Sequence, residues 1–226
     1  MRSELEPILQ RGGINTDDLR YIHLLMHAEL DGIVCSGGRR GKQFTYALLD
    51  ERAPQAKTLG REEALVELTR RYFRSHGPAT LQDYVWWSGL TAADARKGIE
   101  AVASEFEQEV MDDRTYWFSA SAPVELSSPN VLLLPDFDEY TVGYTSRDAI
   151  FDVAHADKLD SRGSILNQYA IVIDGRVAGT WKRTLKKNEV VIELSPFKPL
   201  KKVEDQTVRA AAQQYGQFLE MPCVVA

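Results

Sequence analysis

Cysteines and long apolar runs are scarce in this sequence of 226 residues. Its two cysteines, Cys35 and Cys223, are far apart and no CxxC pair occurs. This argues against a disulfide framework and a zinc ribbon, and it makes a reducing compartment the expectation. No apolar run approaches the ~20 residues that span a bilayer. The N-terminus MRSELEPILQ also lacks the apolar stretch of a signal peptide. These absences predict a soluble cytoplasmic protein with no membrane partner.

Excess positive charge is lacking as well. The net charge is −6 and the pI is about 5.3, whereas a free-standing nucleic-acid binder is usually basic. This net charge does not exclude a nucleic-acid partner, because a local cationic face can exist on an acidic protein. The hydrophobic content of 44% is sufficient for a sizeable core, either in one large domain or in two to three small ones.

Two stretches rich in Pro, Ser and Ala, at 50–60 and 119–130, read as linkers or turns. They predict three domains, over 1–54, 60–120 and 128–226.

The first segment predicts a helix followed by a hairpin. The helix is expected over 17–30, with Thr16 or Asp17 as its N-cap. Its apolar stripe at helical spacing consists of Leu19, Ile22, Leu25 and Leu30, with Met26 as the alternative to Leu25. IVCSG and QFTYALL are then predicted to be two strands joined by GRRGK.

The second segment shows a fuller version of the same plan. A helix over 61–75 ends at HGP, Thr80 and Thr91 cap two further helices, and a hairpin turns around Asp113 and Arg114. Three helices followed by a strand, a turn and a strand are the order of a winged helix-turn-helix. The first segment resembles the last part of such a unit, with SELEPILQ as a reduced first helix.

The third segment predicts an antiparallel meander closed by a helix. VLLLP reads as a short buried strand, and IDGR and LKKNE read as hairpin turns. The last helix is expected to turn four residues inward, which are Val208, Ala212, Tyr215 and Leu219. The predicted fold class is therefore α+β, with tandem winged-helix units followed by a small antiparallel β-domain with a C-terminal helix.

Three stretches carry a family resemblance: SHGPATLQDYVWWSGLTAADAR, LLPDFDEYTVGYTSR and DGRVAGTWKRTL. Together they resemble the bacterial tandem winged-helix DNA-binding proteins that include the AlkZ-like DNA glycosylases, which excise alkylated or crosslinked bases. The resemblance runs over roughly 16–220. It implies DNA as partner and a relationship to DNA repair.

The sequence departs from that family in one motif. The resemblance implies a Gln-x-Gln motif in an N-terminal part, and no Gln-x-Gln occurs in this chain. We therefore expect a member that lacks the usual N-terminal part, and the catalytic motif cannot be transferred. An exposed apolar face on the first unit would indicate a homodimer or a missing N-terminal domain.

Several cations are candidate DNA contacts, because Arg and Lys neutralise phosphates. In GGRRGK the glycines would let the backbone approach DNA closely, although a charged hairpin tip is commonly only solvated. The same alternative holds for the recognition-helix position, where Arg96 and Lys97 stand among Asp94 and Glu100. The full set of candidates is Arg39, Arg40, Lys42, Arg96, Lys97, Arg114, Lys182, Arg183, Lys186 and Lys187.

The carboxylates Asp136, Asp138 and Glu139 directly follow a predicted strand, and they are the candidate catalytic residues. They could hold a metal, act as general acid or base, or repel stray phosphates. They could equally cap a turn and pair with Arg147 or Arg183.

No metal or cofactor site is predicted. His23 and His27 have the i, i+4 spacing of a metal-binding helix, but HLLMH lacks the glutamate of the zincin signature and no third ligand is indicated. No P-loop, dinucleotide fingerprint or nucleophile elbow occurs. Three functions remain open: a DNA-binding module that contacts mainly backbone, a DNA glycosylase, and a protein-interaction scaffold.

Overall fold

A computed structural model describes residues 1–41, 43–120, 128–158, 165 and 168–226. The chain divides into two compact units, Met1–Gly60 and Arg61–Ala226. Both mix helices with strands, and among the described residues every strand pair but one is antiparallel.

The first unit holds three helices and one small hairpin. Its strands β1 and β2 pair antiparallel with Cys35 opposite Ala47, so the predicted hairpin is present with shorter strands. The elements in order are α1 (Arg2–Arg11), α2 (Arg20–Leu30), β1 (Val34–Ser36), β2 (Tyr46–Leu48) and α3 (Leu49–Arg52).

Helix α2 begins later than the sequence predicts. Its N-cap is Leu19, because Asp18 takes a left-handed backbone conformation with φ of 52° that a helix cannot include. Thr16 does not cap the helix, and its hydroxyl oxygen instead accepts a hydrogen bond of 2.7 Å from Gln10.

Most of the apolar stripe predicted for α2 is exposed in the structure. The helix buries Tyr21 and Leu25. The other apolar residues of the stripe are 43% to 80% exposed, and they are Leu19, Ile22, Met26 and Leu30. Helix α2 therefore has two apolar faces, of which only one is covered.

The second unit begins with three helices and a hairpin. These elements are α4 (Arg61–His76), α5 (Leu81–Ser88), α6 (Ala92–Val102), a 3₁₀ turn (Ala103–Glu105), β3 (Glu107–Met111) and β4 (Arg114–Phe118). The predicted caps are confirmed, since Thr80 and Thr91 accept backbone hydrogen bonds from Asp83 and Asp94. Aromatic residues dominate the core between the helices, with Tyr72, Phe73 and Tyr84 almost fully buried.

The rest of the second unit is built on a five-stranded sheet. Its strands lie in sequence order, β5 to β9, and only the pair β8–β9 is parallel. The elements are β5 (Val131–Leu134), α7 (Glu139–Val142), a 3₁₀ segment (Val153–Lys158), β6 (Ala170–Ile173), β7 (Arg176–Leu185), β8 (Val190–Pro196), α8 (Lys202–Phe218) and β9 (Cys223–Val225).

Both faces of this sheet are covered near β6, which is buried along its whole length. One face packs against α8, and the inner residues Val208 and Ala212 of that helix are fully buried as predicted. The other face packs against Phe151, Ile165 and Phe197. The sequence did not indicate the parallel strand β9, because three residues after a helix carry no readable alternation.

Candidate functional site

The predicted catalytic carboxylates follow β5 and lead into α7. The Oδ1 of Asp138 accepts a hydrogen bond of 2.9 Å from the backbone N–H of Tyr140, so Asp138 is the N-cap of α7. Asp136 is exposed, and Phe137 between the two aspartates is 61% exposed with φ of 53°. Asp138 therefore caps a turn, which is one of the roles that the sequence allowed.

Glu139 lies against the α4–α5 part of the same unit. Its Oε1 accepts a hydrogen bond from the indole N–H of Trp87, and His76 Nε2 lies 3.1 Å from the same oxygen. Trp87 first, and then His76, lower the pKa of Glu139 below its ordinary value against a smaller effect of burial. An ionised carboxylate only accepts hydrogen bonds, so His76 Nε2 must carry a proton in this contact. Glu139 is therefore an ionised, half-exposed carboxylate that Trp87 and His76 hold in position.

A second carboxylate, that of Asp83, links α5 to the segment that follows α7. This residue was not identified from the sequence. Asp83 is 5% exposed. Its Oδ2 accepts from the backbone N–H and hydroxyl of Thr80 at 2.9 and 2.7 Å, and its Oδ1 accepts from those of Thr145 at 2.8 and 2.6 Å. Burial alone would raise the pKa of Asp83, but the bonds from Thr145 and then Thr80 outweigh it and lower the pKa. The Thr80–Asp83 spacing is a capping signal, whereas nothing local indicates the partner 62 residues away.

Two predicted DNA-contact residues line one cleft. Arg96 on α6 and Arg114 on β4 face a space of about 430 Å³ whose wall includes Trp117. Lys97 is exposed on α6 and does not line that cleft. The structure therefore brings together the helix and hairpin cations that the sequence could only place apart.

The β1–β2 hairpin presents its arginines differently. The Arg39 guanidinium lies 4.5 Å from the centroid of the Phe44 ring, which is cation–π geometry. Arg40 makes an ion pair of 2.9 Å with Glu4. Lys42 lies outside the described residues. Arg39 is thus the hairpin arginine whose charge no described carboxylate neutralises.

The β7–β8 hairpin carries the remaining candidate cations. Residues 182 to 185 of β7 are all exposed, whereas Trp181 is buried and donates its indole N–H to the Leu134 carbonyl at 2.9 Å. Arg183 lies over the Tyr215 ring, 5.6 Å from its centroid. At the turn, Lys186 pairs with Glu189 at 2.8 Å and Lys187 is exposed.

In the part of the chain that the structure describes, no three His, Cys, Asp or Glu side chains group together where they could hold a metal ion. His27 instead lies 2.9 Å from Asp31, one turn further along α2. Among the same residues, no helix has the length and apolar content to cross a membrane.

Comparisons with known proteins point to one family. A family model described as "DNA glycosylase AlkZ-like" matches residues 1–218. The interstrand DNA cross-link repair glycosylase of Streptomyces sahachiroi is 25% identical over 194 residues, which cover 80% of this chain and 51% of that protein. The solved structure of the DNA glycosylase AlkZ of the same organism has a TM-score of 0.64 at 20% identity, covering 92% of this chain and 62% of that one. This chain spans about half the length of the curated relative.

Proposed function

This chain belongs to the AlkZ-like DNA glycosylase family, and from that premise we propose that it binds DNA, mainly through the phosphate backbone. Its relationship to DNA-repair glycosylases supports a role in DNA repair. The relative from Streptomyces sahachiroi is named for cross-link repair, and damaged DNA is accordingly the proposed partner.

One observation carries this proposal: of the predicted DNA-contact arginines, Arg40 alone makes an ion pair with a residue that the structure describes. On α4 and α8, Arg70, Arg71, Arg74 and Arg209 pair with carboxylates of their own unit. Arg39, Arg96 and Arg114 make no ion pair with any residue that the structure describes. In a chain of net charge −6, guanidiniums left without a carboxylate partner are available for an external anion.

We further propose that the scaffold is a tandem winged-helix array. Support comes from the order of elements, since α4, α5 and α6 are followed by the β3–β4 hairpin, and α2 is followed by the β1–β2 hairpin. In this reading the domains are 1–54, 60–120 and 128–226. The cations of the hairpins would contact phosphates, and those of β7–β8 would add a third contact, through Lys182, Arg183, Lys186 and Lys187. No helix that the structure describes offers a set of base-reading side chains, so shape and backbone would dominate.

DNA titration with a charge-reversal variant tests the proposal. Arg39→Glu is preferable to a change at Arg40, because Arg40 already pairs with Glu4 and reversal there would place two carboxylates together. Fluorescence anisotropy with a labelled duplex at ~50 and ~200 mM salt should show micromolar binding that weakens steeply. Arg39→Glu should lower the salt slope by about 1. Arg11→Glu makes the same change of charge on α1, outside the hairpin, and it should lower the slope less than Arg39→Glu does. Equal slopes for wild type and Arg39→Glu would remove the hairpin from the interface.

Base excision is a second proposed function, and Glu139 is the observation that favours it. An ionised, half-exposed carboxylate held by two donors could stabilise positive charge on a sugar or activate a water. On an alkylated duplex, Glu139→Gln would reduce excision by about a hundredfold or more. Asp136→Asn tests the other exposed carboxylate, and Asp148→Asn serves as an exposed control in the same segment. Excision that survives replacement of Asp136, Asp138 and Glu139 together would exclude these carboxylates.

The uncovered stripe on α2 supports one more proposal, that the first unit contacts a second copy of this chain or another protein domain. A helix with two apolar faces normally has both covered. A scaffold function without DNA binding would be favoured if no DNA is retained at low salt.

A further inference from the structure

The cleft between α6 and the β3–β4 hairpin has features beyond those of a phosphate contact. Arg96 and Arg114 approach it from different elements, one from a helix and one from a strand. Its volume of about 430 Å³ lies in the range of small-ligand pockets.

One wall of the cleft is apolar. Trp117, Leu81 and Ile99 line it, and Ile99 is 7% exposed. Trp117 is half-buried and packs on the aromatic core of the unit, and its backbone N–H and C=O both bond to Ala79. An aromatic ring that the core fixes in position can stack on an unpaired base. Such stacking contributes about 1–3 kcal/mol per base to the binding free energy.

The polar groups of the cleft narrow the class of ligand. Two carboxylates, Glu100 and Asp113, accompany the two guanidiniums, so the cleft has no excess of positive charge. It is therefore poorly suited to a polyphosphate, which brings several negative charges. A single phosphodiester brings one, and the exocyclic amino group of a base supplies hydrogens that a carboxylate accepts.

We propose that this cleft binds one unpaired nucleotide of a DNA strand, with its phosphate between Arg96 and Arg114 and its base against Trp117. Bases with an exocyclic amino group, such as cytosine, bind in preference to thymine because Glu100 and Asp113 accept from that group. The assignment rests on the proposed DNA binding and adds to it the form of DNA that is bound.

Titration of the full chain with single-stranded oligonucleotides tests the assignment. Labelled oligo-dC and oligo-dT of about 12 nucleotides, and a duplex of the same length, are compared by anisotropy and by tryptophan emission. We expect oligo-dC to bind about tenfold more tightly than oligo-dT, and to quench the emission of Trp117. Replacing Glu100 and Asp113 by Gln and Asn should remove the preference for dC.

Variants separate the cleft from general DNA affinity. Trp117→Phe keeps an aromatic ring in the core, and it should weaken oligo-dC binding about tenfold, abolish the quenching and leave duplex binding unchanged. Arg96→Gln/Arg114→Gln should weaken oligo-dC binding too. The matched control Arg71→Gln/Arg209→Gln removes the same charge from positions outside the cleft. A thermal melt of each variant separates loss of binding from loss of fold.

The outcomes distinguish this assignment from the proposed function. Duplex binding with no Trp117 quenching by oligo-dC, or equal affinity for dC and dT, would overturn the nucleotide cleft and leave backbone binding intact. Quenching by free dCMP equal to that by oligo-dC would make the ligand a mononucleotide and overturn the assignment to a DNA strand. Absence of any DNA binding at ~50 mM salt would overturn both proposals.

Discussion

Replacing Asp83 with asparagine keeps the side-chain size and removes one acceptor oxygen and the charge. Asp83 accepts two backbone and two hydroxyl hydrogen bonds, from Thr80 and Thr145. Whichever way the amide turns, its NH₂ faces one of the two backbone N–H groups, which then has no acceptor. A buried unsatisfied donor costs about 1–3 kcal/mol, and the remaining bonds lose the strength that the charge gave them. We expect Asp83→Asn to lower the free energy of unfolding by about 3 kcal/mol.

Urea unfolding followed by tryptophan emission measures this loss in the second unit alone. All four tryptophans, from Trp86 to Trp181, belong to Arg61–Ala226. Asp112→Asn is the matched control, because Asp112 is exposed and its φ of 51° is one that asparagine tolerates. The control should stay within about 0.5 kcal/mol of wild type.

Acid unfolding gives an independent check on the same carboxylate. Because the folded-state pKa of Asp83 lies below the ordinary aspartate value, its stabilisation is fully present above about pH 4 and is lost as the pH falls through the folded-state pKa. Wild type should therefore lose stability over that acid range, and Asp83→Asn should show a shallower loss. A change below about 1 kcal/mol at neutral pH, or parallel acid curves, would refute the reasoning.

Three further perturbations follow from the same structure. Gly98→Ala should destabilise the second unit by about 1–2 kcal/mol in urea, because the added methyl overlaps the buried Thr69 hydroxyl at a cost above the ~1 kcal/mol that alanine gains in a helix. Tryptophan emission should change as acid protonates Glu139, with a midpoint below the ordinary value of about 4.3, and Glu139→Gln should lack the step that comes from Trp87. Met26→Glu should convert any dimer seen by sedimentation to monomer, and a monomeric wild type would contradict the self-association proposal.

The sequence was most informative where its signals were local. Thr80 and Thr91 each stand before an apolar helical pattern with an aspartate three residues on, and both are N-caps in the structure. The inner face of α8 was likewise readable, since Val208 and Ala212 repeat at helical spacing over a long segment.

Signals that depend on distant residues were not readable. Asp83 and Thr145 lie in different predicted domains, and no periodicity joins them. The buried face of α2 could not be identified from the sequence, because both faces of that helix are apolar and periodicity alone cannot rank them. The cleft was missed for a related reason, since Trp117 and Arg96 meet only after the hairpin folds back on α6.

The two carboxylate contacts of the second unit also constrain how its sequence can be recombined. A chimaera with a crossover near residue 120 would take Asp83, His76 and Trp87 from one parent and their partners Thr145 and Glu139 from another. The donors from one parent must therefore match the acceptors from the other at both contacts. Otherwise the chimaera leaves the buried carboxylate of Asp83 without its partners at Thr145. Exchange of segments among family members should succeed at the boundary near Gly60 more readily than at this internal one.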